Sequence, residues 1–85
     1  MNELETIAGK VETKKDFTLF IAALIKDLRE NGENWENKNL GNYLEAIQSW
    51  VEDMDGYYKN NNLEQPHNIS WKVFCDILFA AKMYE

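Results

Sequence analysis

A single cysteine in 85 residues excludes an internal disulfide, and no pair of thiols and histidines stands at the spacing of a structural zinc site. Cys75 on those terms points to a reducing compartment. Histidine is as scarce: His67 stands alone beside the lone proline, Pro66, with no second ligand near it, so neither a metal nor a cofactor is expected. Basic residues are few, nine against fifteen acidic ones, for a net charge of −6. That sign opposes phosphate neutralisation and disfavours a nucleic-acid partner. Residues 33–85 hold nine acids and four bases and so carry −5 of the −6, which favours a basic protein as partner. Long hydrophobic runs are missing as well. The longest apolar-rich stretch, Phe17 to Ile25, contains Thr18 and is too short to cross a bilayer, so no membrane partner is expected. The start, Met1-Asn2-Glu3-Leu4-Glu5, lacks the basic segment and apolar run of a secretion signal, and a cytoplasmic location is the default.

What is present is core-forming material. The hydrophobic fraction is 45% and the aromatic fraction 13%, with three Trp, four Tyr and four Phe, which sets the chain among globular rather than disordered sequences. A chain this short supports one core, so residues 1–85 are read as a single domain stabilised largely by its aromatic residues. The apolar spacing throughout is helical. The expected fold is all-α: a small bundle of three main helices, about 14–31, 40–58 and 71–84, preceded by a short helix, arm or mobile segment over residues 1–12.

Leu4, Ile7, Ala8 and Val11 follow the i, i+3, i+4, i+7 pattern, which Gly9 interrupts. Thr13 followed three residues later by Asp16 forms a capping-box-like start, with Asp in place of the usual Glu. Phe17, Phe20, Ile21, Leu24, Ile25 and Leu28 then make one stripe, with Lys14, Lys26, Asp27, Arg29 and Glu30 mostly away from it. Asn31-Gly32 predicts a left-handed stop. The link from Glu33 to Asn39 is polar apart from Trp35, and Asn37 or Asn39 can cap the next helix. Its stripe is Leu40, Tyr43, Leu44, Ile47, Trp50, Val51, Met54 and Tyr58, with an end near Gly56 or soon after Tyr58. Ser70 is the third start signal, with Ile69 and Phe74 placed as a hydrophobic staple. The last helix leaves only Lys72, Asp76 and Lys82 clearly polar and is expected to be central and most buried.

These elements resemble a family of small uncharacterised bacterial proteins, a domain of unknown function, that pairs Trp-Glu-Asn with Ser-Trp-x-x-Phe and Ala-Ala-x-x-Tyr-Glu. The matching residues are Trp35-Glu36-Asn37, then Leu44-Glu45-Ala46, Trp50 and Asp53, then Ser70-Trp71, Phe74, Leu78, Ala80-Ala81 and Tyr84-Glu85. The resemblance runs from about Phe17 to Glu85 and implies a fold. It carries no activity and no catalytic residue. In size and acidity such proteins are similar to immunity proteins that neutralise bacterial toxins.

Glu52, Asp53 and Asp55 lie near the expected C-terminal end of the longest helix, where carboxylates oppose the helix dipole by about 0.3–1 kcal/mol each when exposed. Such local conflict marks a site or, more simply, a solvated face. Asp53-Met54-Asp55-Gly56 fails as a calcium loop because its glycine offset is wrong and no Glu follows at the required distance. Cys75 with His67 could be drawn as nucleophile and base, but a cysteine on so crowded a helix packs as a small hydrophobe, and His67 belongs to a loop. Asn68-Ile69-Ser70 fits a glycosylation acceptor only outside the cytoplasm. Trp50 and Trp71 fall on helix stripes and read as core residues. Trp35 does not: it either closes the edge of the core or anchors a partner. The candidate interaction surface is Trp35, Glu36, Glu52, Asp53, Asp55 and Tyr57.

No catalytic constellation emerges, so the chain is read as a non-enzyme. A small acidic protein-binding module, of the immunity-inhibitor type against a basic toxin, is the leading function. A structural or regulatory homo-oligomer joined by surplus aromatic surface is the alternative, and a small enzyme comes third.

Overall fold

The structure, a computed structural model, describes residues 3–64 and 68–84. It is all-α among those residues. Helix α1 spans Glu3–Ala8, α2 Lys14–Asn31, α3 Leu40–Asn60 and α4 Trp71–Ala81, with one 3-10 turn, Gly32–Asn34, after α2.

Each long helix starts on a side-chain cap. The Asp16 amide donates to Thr13 Oγ1, while the Asp16 carboxylate accepts from the amide of Thr13, closing the capping box. Asn39 Oδ1 accepts from the Asn42 amide at 2.8 Å, and Ser70 Oγ accepts from the Val73 amide at 3.1 Å. The ends are less regular. Gly32 has φ −57°, a right-handed conformation, so α2 tightens into the 3-10 turn instead of stopping on a left-handed glycine. The left-handed stop sits at the end of α3 instead. Asn62, with φ 56°, is the positive-φ residue there; its amide bonds to Lys59 and the Leu63 amide to Tyr58, the two-bond closure of a Schellman motif.

Helix α4 is the centre of the domain and packs against α1, α2 and α3, while α2 and α3 do not pack on one another. Its opposite faces feed two clusters. Cys75 joins Leu4, Ala8, Val11, Phe20, Leu24 and Trp35 on one side, so the segment from Leu4 to Val11 contributes to the core. Val73 and Ile77 join Trp50, Met54 and Tyr58 on the other. The expected stripe of α2 is only partly buried: Phe20 and Leu24 point inward, whereas Ile25 and Leu28 remain exposed. Trp71 corrects the reading of it as a core residue. It sits on the first turn of α4 and is 40% exposed, with only the ring of Phe17, from the start of α2, found against it at 5.3 Å among the described residues. Ile69 and Phe74, placed as a staple, are both exposed as well. Lys82 is a further correction, since it is buried rather than part of a polar face. His67 and Pro66 lie outside the described residues.

Candidate functional site

Trp35 is a core residue and not an exposed anchor: it is 7% exposed and stacks on Tyr43 at 5.9 Å. Its indole N–H donates to Asp27 Oδ2 at 2.7 Å. The same carboxylate receives Lys82 Nζ at 2.9 Å, and Asn31 donates to its other oxygen. The ammonium lies 5.3 Å from the Trp35 ring centroid and 5.5 Å from that of Phe79, so two aromatic faces and a carboxylate surround it. Burial alone would raise the Asp27 pKa; the hydrogen bonds from Lys82, Trp35 and Asn31, with the charge of Lys82, outweigh it and hold the carboxyl below its ordinary value.

Glu36 and Asn37 complete the same junction. Their amides both donate to the Lys82 carbonyl at 3.0 Å, and Asn37 Nδ2 donates to the carbonyls of Ala81 and Tyr84. The Ala81 and Lys82 carbonyls are among those that the end of α4 would otherwise leave open, and the Tyr84 carbonyl ties in the segment that follows. The Trp35-Glu36-Asn37 and Ala80-to-Tyr84 segments therefore meet as an architectural clasp. Asn39, and not Asn37, caps α3.

Glu52, Asp53, Asp55 and Tyr57 are all exposed on α3. Because α3 continues to Asn60, the three carboxylates lie more than one turn before its end, where the dipole's effect has faded. Helical spacing divides them. Asp53 and Tyr57 are i,i+4 neighbours on one flank, while Glu52 and Asp55, i,i+3 neighbours, turn away from it. Trp35 packs in the other cluster, so the six residues form no single patch. Asp53 is tied down: it accepts from the Tyr84 hydroxyl, and this bond raises the tyrosine's pKa.

Beside the Asp53–Tyr57 flank lies a cleft of about 380 Å³ between α1, α3 and α4. Trp50 and Tyr57 supply its α3 wall, with ring centroids 5.8 Å apart and Tyr57 45% exposed. Lys72, Asp76, Phe79 and Ala80 form the α4 side, with Lys72 ion-paired to Asp76, and Glu5 stands on the α1 side near Gly9. Behind it the buried Tyr58 hydroxyl has no hydrogen-bond partner and feels the charges of Asp76 and Lys72. Trp50 and Tyr57, seven residues apart on one helix face, were legible as neighbours; the groups from α1 and α4 were not.

A second hollow, about 320 Å³, separates α2 from α3. It is apolar, with Leu24, Ile25 and Leu28 on one side, Leu40 and Tyr43 on the other, and Trp35 at its base. Leu40 is 72% exposed at its rim.

Among the described residues no group of His, Cys, Asp and Glu could hold a metal ion, and no helix is long and apolar enough to cross a membrane. Cys75 is fully buried, its Sγ 3.7 Å from the Ala8 carbonyl, and burial pushes its thiol up to about 11. It packs as a core residue.

Residues 13–85 match the family of unknown function DUF7660. The chain belongs to that family. No curated protein and no solved structure matches it. In this DUF7660 protein the match takes in α2, α3, α4 and the clasp between Trp35 and Tyr84, and begins after α1.

Proposed function

We propose that this DUF7660 domain is a non-enzymatic, acidic module that binds a basic protein, in the manner of the immunity-type inhibitors that cover a toxin's active site. The observation that carries the reading is the flank of α3 on which exposed Tyr57 lines the Trp50 cleft one helical turn from Asp53, within residues 33–85, which hold −5 of the −6 net charge. A carboxylate beside an aromatic anchor, on a helix that carries two further acids, suits a positively charged surface, speeding encounter and rejecting anionic partners such as nucleic acid or acidic lipid.

The test is affinity capture from the native host at low and then high salt, with the same capture on a Glu52→Gln, Asp53→Asn, Asp55→Asn variant. A basic protein retained at low salt, released by high salt and lost by the variant is the expected result. Recovery of the chain alone, or retention that the variant leaves unchanged, contradicts it.

The apolar hollow between α2 and α3 favours a second reading, a homo-oligomer. Leu40, Leu44 and Val51 are exposed on the outer side of α3, with Ile25 and Leu28 across the hollow. That reading requires a salt-indifferent dimer by sedimentation, dissociated by Leu40→Glu.

A further inference from the structure

We infer that the open face between α2 and α3 is closed by the same face of a second copy of this chain, with each α2 lying over the other copy's α3, an assignment that rests on the homo-oligomer reading above. The hollow at Leu40 is one end of a longer apolar groove whose floor is α4. Trp71, Phe74 and Leu78, spaced i, i+3 and i+7, fall between the side of α4 that buries Cys75 and the side that buries Ile77. Trp71 and Phe74 remain exposed. Phe17 reaches them from α2, its ring 5.9 Å from that of Phe74, and the Tyr43 hydroxyl of α3 donates to the Leu78 carbonyl at 2.7 Å. Since α2 and α3 do not pack on one another, the exposed Ile25 and Leu28 of one wall and Leu40, Leu44 and Val51 of the other stand apart across that floor.

The two rims carry opposite charge. On α2, exposed Lys14 lies three residues before Phe17 and exposed Arg29 four after Ile25. On α3, exposed Glu45, Glu52 and Asp55 stand on the outward side of the Leu40–Val51 stripe, with no basic residue from Leu40 to Asp55; Lys38 and Lys59 lie beyond its two ends. None of those five rim residues is in an ion pair among the described residues. Helix α2 runs with α4, Phe17 beside Trp71 and Asp27 beside Lys82, whereas α3 runs against it, Tyr43 beside Leu78 and Tyr58 within the influence of Lys72 and Asp76. Lys14 therefore stands level with Asp55, and Arg29 with Glu45. Two such faces joined about a twofold axis parallel to the helices set Lys14 against Asp55 and Arg29 against Glu45 of the second copy. An axis across the helices sets Lys14 against Arg29 and Glu45 against Asp55, like charge on like. Charge complementarity selects the first arrangement, while the apolar groove supplies the affinity. Asp53, Tyr57 and the Trp50 cleft lie on the other flank of α3 and stay open to a basic partner.

The test is sedimentation of the whole chain and of variants that keep its far-UV circular dichroism. The parent at about 100 μM is expected to sediment as a dimer at low and at high salt, because exposed ion pairs contribute little to its affinity. Leu40→Glu and Leu44→Glu, both at exposed positions, are expected to give monomers. Arg29→Glu and Glu45→Arg each weaken self-association about threefold or more, and an equimolar mixture of the two recovers it, since every Arg29–Glu45 contact then again joins opposite charges. A monomeric parent removes the homo-oligomer reading itself and leaves the groove to a helix of a different protein. A dimer that both leucine variants leave intact overturns the groove as its seat. A dimer lost with Leu40→Glu but unchanged or strengthened by Arg29→Glu, or a mixture no tighter than its components, overturns the arrangement of α2 over α3 while leaving the homo-oligomer reading in place.

Discussion

Lys82 and Asp27 stand 55 residues apart in sequence and 2.9 Å apart in space, with side chains 10% and 15% exposed. The pair fastens the end of α4 to α2, and Trp35 lies against both partners. Lys82→Met would leave the Asp27 carboxylate with only the Trp35 and Asn31 donors and should cost about 2 kcal/mol in urea unfolding. Asp27→Leu combined with Lys82→Met should recover part of that loss, because neither charge is then stranded. Equal losses in the single and double variants would show that packing, and not charge, sets the cost.

Acid should weaken the protein through the same carboxylate. Asp27 has a folded-state pKa below its ordinary value of 3.8, so its contribution is fully present above that value and is lost as pH falls through the folded one. Asp16 shifts in the same direction, led by its backbone hydrogen bonds from Glu12 and Thr13. Stability should therefore decline as pH drops below about 5, and Asp27→Asn should flatten that decline while lowering stability at neutral pH. An unchanged acid limb in Asp27→Asn would contradict the assignment.

Asn37 closes the end of α4 by donating to two carbonyls across the chain. Asn37→Ala should cost about 1–2 kcal/mol and speed amide exchange at Met83 and Tyr84 more than at the start of α4. Uniform acceleration along α4 would mean that the clasp is not local.

Asn62 holds a left-handed conformation that asparagine tolerates and a branched residue does not. Asn62→Gly should be neutral or stabilising by up to about 1 kcal/mol, and Asn62→Val should destabilise by at least about 1 kcal/mol. Thermal melting of the two variants gives the comparison directly.

The helix starts were legible in the sequence because a cap is local: Thr13, Asn39 and Ser70 each satisfy a backbone amide three residues on. The central place of α4 was legible from its nearly continuous apolar circumference, which the structure splits between two clusters. Lys82 and Asp27 were read as surface charges because nothing in either helix announces a partner 55 residues away. Trp71 fits the stripe of α4 by period, but period does not say how fully a neighbour covers each position: Phe17 of α2 lies against its ring and 40% of the residue stays exposed. Gly32 shows the same limit, since the chain entered a 3-10 turn where the sequence also permitted a left-handed cap. For the candidate site, the acids and Tyr57 of α3 could be named from sequence, while the cleft that Tyr57 and Trp50 line needed Glu5 and Asp76 to be brought in by the packing of α1 and α4.

The central claim is that the acidic second half of α3 recognises a basic protein. It is tested most directly by the association rate of the captured partner with the parent chain and with the Glu52→Gln, Asp53→Asn, Asp55→Asn variant across a salt series. The account predicts that salt slows association of the parent by about tenfold or more between dilute and physiological conditions, and that the variant associates slowly throughout. Association that is equally fast for both chains and indifferent to salt would contradict it.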